Sequence, residues 1–82
     1  MSRYFFHVQN QTSYVRDEVG SDLASPGLAR SRAADAAGEI LTADLRDGRT
    51  EVAFDIEVDD AAGERLFTVH VAGTVELDPV AA

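Results

Sequence analysis

The sequence predicts an α+β domain, β-β-α-β-β along the chain, in which a four-stranded antiparallel sheet of order 2-1-3-4 carries one helix on one face. The stretch 52–58 carries large apolar residues with a period of two, and 65–71 reads as its return strand. Between 25 and 47 the apolar residues recur at three- and four-residue spacing, the mark of a helix with one buried side. Short polar segments containing Gly, Asn or Asp separate these stretches and read as turns.

The first strand is "RYFFHV", residues 3–8, with Tyr4, Phe6 and Val8 on one face and Arg3, Phe5 and His7 on the other. "QNQT" at 9–12 is a polar turn, and "SYVRD" at 13–17 is a short returning strand that completes a hairpin. "DEVGSDL" at 17–23 reads as a turn segment in which Gly20 can adopt a positive φ. Ser25 is the expected N-cap and Pro26 the first helical residue, where a missing N–H costs nothing. The helix should run to about Asp47, with Gly48 as its left-handed stop. Its stripe is Ala29, Ala33, Ala36, Ala37, Ile40 and Leu41; small residues bring the helix axis close to the sheet, so the strands must supply the bulk.

"VAFDIEV" at 52–58 points Val52, Phe54, Ile56 and Val58 to one face and Ala53, Asp55 and Glu57 to the other. "DDAAGE" at 59–64 turns the chain, with Gly63 available for a left-handed position. "RLFTVHV" at 65–71 returns with Phe67, Val69 and Val71 toward the core and Leu66, Thr68 and His70 outward. The first and third strands are the richest in apolar residues and so belong in the centre. Residues 1–73 form the single domain, and residues 74–82 an acidic tail outside it.

An 82-residue chain without cysteine has room for one core and neither a disulfide nor a thiolate metal site to staple it. Seven arginines and no lysine oppose fifteen acids, for a formal net charge of −8. The excess is local: residues 51–82 hold Arg65 alone against eight acids. Such a chain repels phosphate backbones, which argues against nucleic acid and for a basic protein as a complementary partner. No stretch approaches the ~18 apolar residues of a membrane span, and the N-terminus lacks a basic-then-apolar leader, so the expected location is cytoplasmic, away from membranes.

"RYFFHV", the short strand ending in Asp17, "DEVGSDL" with Gly20 and Leu23, the alanine-rich helix and the hairpin turned by "DDAAG" together resemble a family of short uncharacterised proteins common in alphaproteobacteria, a domain of unknown function. The resemblance spans nearly the whole chain and implies no catalytic or binding residues; the acidic tail after Val71 departs from its usual pattern. A second likeness is to the antitoxin half of HicB-type pairs, which also opens with an aromatic strand, although here the second hairpin follows the helix.

The residues that could carry chemistry are few. His7, His70, Asp55 and Glu57 share the sheet face away from the helix and are the only concentrated acid-base or metal-ligand candidates. Flat strands seldom bring such groups into convergence. No glycine-rich phosphate loop, G-x-S-x-G or H-E-x-x-H occurs, and the two acidic turns lack the spacing of a calcium loop. No catalytic, metal-binding or cofactor-binding residue is therefore assigned, and no cofactor is expected.

The uncovered face remains, with Arg3, Phe5, His7, Leu66, Thr68 and His70 as the candidate interface. Phe5 would be covered either by a second chain or by the C-terminal tail through Val75 or Leu77. The leading expectation is a non-enzymatic protein-interaction module forming a homodimer. The alternatives are a small metal-dependent or acid-base enzyme using the His, Asp and Glu side chains of that face, and an antitoxin-like inhibitor of a basic partner.

Overall fold

The computed structural model describes residues 1–79, and shows one helix on an antiparallel sheet. The elements are β1 (Ser2–Asn10), β2 (Tyr14–Val15), β3 (Ser21–Leu23), α1 (Pro26–Arg46), β4 (Glu51–Asp59) and β5 (Arg65–Thr74). The strand order is β2-β1-β4-β5, with β3 also paired to β1. The sheet thus has five strands where four were expected.

The extra strand lies in the segment read as a turn. Val8 faces Val15 and Tyr4 faces Ser21, so residues 16–20 stand opposite only residues 5–7. Two surplus residues lift the chain off β1, and β2 and β3 are the two ends of one interrupted partner strand. Three residues are too few for a period to be visible, and Gly20, with φ +78°, supplies the turn signal that masks them.

Local chemistry sets the other boundaries. The Asn10 Oδ1 accepts the Thr12 and Ser13 amides at 2.9 and 2.7 Å, which closes the turn after β1. Ser25 caps α1 by accepting the Leu28 amide at 3.2 Å, with Pro26 following it. The helix stops at Asp47 and Gly48, the latter at φ +84°. Asp60 organises the second hairpin: its Oδ1 accepts the Ala62 and Glu64 amides, both at 2.9 Å, and Gly63 takes φ +82°.

β4 is the central strand, and its alternation is complete: Val52, Phe54, Ile56 and Val58 are buried against α1. Tyr4 joins them from β1, and Ala29 and Ala33 from the helix. Both alanines are fully buried, which permits the close approach of α1 to the sheet. Phe6, Val8, Ile40, Leu41, Phe67, Val69 and Val71 pack around this centre, half-buried. After β5, the Val75 amide donates to the Thr50 carbonyl at 2.7 Å, and Leu77 stands 85% exposed. The tail therefore does not cover Phe5 through Leu77; the last three residues of the predicted tail lie outside the described residues.

Candidate functional site

The interruption between β2 and β3 exists because one side chain replaces the missing strand. The Asp17 carboxylate reaches back to β1 and accepts the Phe6 amide at Oδ2, 3.1 Å, an amide that a continuous partner strand would have bonded. Its Oδ1 accepts the Val19 and Gly20 amides at 3.1 and 3.0 Å. Burial pushes this carboxyl up, but the backbone donors of Gly20, Phe6 and Val19, with His7 nearby, outweigh it and hold the group below the usual aspartate value.

The Asp17 backbone amide donates in turn to His7 Nδ1 at 3.0 Å. A ring nitrogen that accepts carries no proton, so the hydrogen-bond network assigns the proton to Nε2, which donates to Asp59 Oδ2 at 3.1 Å. Asp59 Oδ1 receives Arg65 Nε at 2.5 Å, and Arg65 Nη1 lies 3.2 Å from Glu57 Oε2. The Arg65 hydrogen bond is the main reason that the Asp59 carboxyl is held below its usual value, against the opposing effect of burial. One continuous network thus runs from the 16–20 crossing through β1 to β4 and β5. His7 was expected to be open to a partner; it is 5% exposed, because that crossing folds over it and the Tyr14 ring lies 6.0 Å from its own.

Above this network lies a half-open cleft of about 410 Å³, floored by Phe5 and His7 and walled by residues 16–18 on one side and the turn at 59–63 on the other. Its buried polar atoms are committed to one another: both His7 nitrogens, both Asp17 oxygens and both Asp59 oxygens have partners within the chain. Among the described residues no buried side-chain nitrogen or oxygen lacks a hydrogen bond. The arrangement clasps strands together.

The candidate interface divides into two halves. On β1, Arg3 makes two contacts with the Asp22 carboxylate, both 3.1 Å, and donates to the Val19 carbonyl at 2.9 Å. Phe5 is half-buried, and Gly20 of the same chain lies against its ring, a neighbour that neither expectation named. On β5, by contrast, Leu66 is 43% exposed, Thr68 is half-buried and the His70 side chain stands out beside Asp55, 2.7 Å away.

The possible ligand set does not come together. His7 sits opposite Glu57 on one side of β4, while His70 sits opposite Asp55 on the other, and each histidine has its own carboxylate. Among the described residues no three His, Asp or Glu side chains are placed to hold a metal ion. No helix of the described residues is long and apolar enough to cross a membrane.

Asp17, Asp59 and Arg65 are the residues that sequence reasoning missed. A signal for the first was present: Asp17 stands three residues before Gly20, the spacing at which a carboxylate bonds the amides of its own turn. Residues 3–72 match the family model described as Domain of unknown function (DUF6894). No curated protein and no solved structure matches the chain.

Proposed function

For this chain, which belongs to the family described as Domain of unknown function (DUF6894), we propose the role of a non-enzymatic protein-interaction module that works through the β5 side of its sheet. The observation that carries this reading is the unequal use of the open face. Its β1 half is spent on internal contacts with residues 17–22, whereas Leu66, Thr68 and His70 on β5 carry only the light cover of their own strand pair. A sheet face without a covering layer, bearing apolar groups among polar ones, is the usual form of a docking surface. The committed nitrogens of His7 also favour binding over catalysis, since a general base needs a lone pair directed at substrate.

The test is the assembly state of the tagged chain in extract of its native host. The unmodified chain should sediment above monomer size, and the double variant Leu66→Glu, His70→Glu should sediment as a monomer with unchanged far-UV circular dichroism. Arg30→Glu, on the exposed outer face of α1, should behave as the unmodified chain. Monomeric sedimentation of the unmodified chain in extract would overturn the reading.

A further inference from the structure

Resting on that reading, we infer that the occupant of the β5 side is a second copy of this chain, paired edge to edge in antiparallel fashion about a two-fold axis at Val69. The Phe6 and Asn10 amides are donated to Asp17 and Ser13, away from β4, so the odd-numbered residues of β1 hold its bonds to β4. Alternation then gives Asp55 and Glu57 to β1, and Phe54, Ile56 and Val58 to β5, where they meet Val71, Val69 and Phe67. The backbone N–H and C=O groups of Thr68, His70 and Ala72 therefore point outward, and no described strand lies beyond them.

β5 runs for ten residues with no proline, lysine or acid, three of the devices by which sheet edges avoid pairing, and its one register shift lies at its start, before Phe67. The opposite side of the sheet ends in a two-residue strand and an interruption, which offers no comparable ladder.

Self-complementarity identifies the partner. With Val69 on the axis, the five regular residues Phe67–Val71 pair: Phe67 meets the partner's Val71 on the helix side, and Thr68 meets the partner's His70 on the open side. No acid and no arginine lies within the paired residues, so no like charges face one another. Moving the axis to His70 would set imidazole against imidazole. Phe67, Val69 and Val71 are each half-buried in the single chain, and the pairing would cover their outer flanks. In a chain of net charge −8, the absence of acids along β5 lets two copies approach there without opposing carboxylates on the paired strands.

The chain has no cysteine, so a single introduced one reports its own neighbour. Val69 would face its own copy in a non-hydrogen-bonded pair, with Cα atoms about 4.5 Å apart, a separation that a disulfide spans. Val71 would lie about 13 Å from its own copy. Purified Val69→Cys should oxidise to a covalent dimer at least tenfold faster than Val71→Cys. Thr68→Pro removes one outward amide, leaves the bonds to β4 intact and should weaken dimerisation at least tenfold in sedimentation equilibrium. Equal oxidation rates for the two cysteine variants, or a purified chain monomeric at the highest attainable concentration, would overturn the inference. A chain monomeric when pure yet assembled in extract removes the homodimer and keeps the interaction role; a chain monomeric in both removes both. Should Thr68→Pro fail to fold, the cysteine pair decides alone.

Discussion

Replacing Asp17 by alanine is expected to cost about 3 kcal/mol or more of folding stability, with each hydrogen bond to a charged group contributing ~1.5–3 kcal/mol and the set adding less than its sum. The carboxylate holds the amides of Phe6, Val19 and Gly20, and the first and last of these are partly buried. Without it the interruption between β2 and β3 has nothing to bond, and the amide that His7 accepts loses its fixed position. Asp17→Asn keeps an accepting oxygen but turns an N–H₂ group toward an amide donor, so it should recover only part of the loss. Urea unfolding with an unchanged slope would place the effect in the folded state. A loss below about 0.5 kcal/mol, the level of an ordinary surface change, would mean that solvent serves these amides equally well.

The same group gives the stability a pH dependence of definite sign. Asp17 and Asp59 are both held below the ordinary aspartate value in the folded chain, the first by its backbone donors and the second by Arg65. A carboxyl depressed on folding contributes stability that is complete above its unfolded value and is lost as pH falls through its folded value. The stability that these two carboxyls contribute should therefore be constant through neutral pH and decline from about pH 4 downward. The decline should be shallower in Asp17→Asn, which has no proton to take up at that position.

The sheet, the helix and its limits were legible because they rest on periods long enough to read. β4 carries four alternating buried residues, and α1 carries alanines at 29 and 33 that both become fully buried. Ser25, Gly48 and Gly63 declared the ends of elements through their own backbone chemistry. β3 was not legible, since three residues carry no period and the pairing that creates it is with a strand seventeen or more positions away. The face on which His7 lies was legible; its burial was not. That burial depends on two surplus residues between β2 and β3, and a side-chain pattern does not reveal how far a loop folds over its neighbour. The pairing of Asp59 with both His7 and Arg65 likewise depends on the register shift at Val58 and Asp59, which displaces Arg65 relative to the rest of β5.

Three glycines at positive φ separate backbone strain from crowding. A side chain at Gly48, Gly63 or Gly20 costs roughly 1–2 kcal/mol from the left-handed conformation alone. At Gly48 and Gly63 a Cβ would meet nothing within 4 Å, so the alanine variants there should show that cost and little else. At Gly20 a Cβ would lie 2.8 Å from Arg3 Cγ and 3.0 Å from Phe5 Cε1. Arg3 can yield only by giving up its hold on Asp22 and Val19, and the Phe5 ring forms the floor of the cleft. Gly20→Ala should therefore exceed Gly48→Ala by about 1 kcal/mol or more, the usual scale of overpacking. In an Arg3→Ala background most of that excess should disappear, because the nearer obstacle has been removed and the two sites are in contact. Equal costs at Gly20 and Gly48 would mean that the 16–20 crossing does not press on Phe5. The ring would then be available to a partner, and the division of the open face into a closed β1 half and an open β5 half would fail.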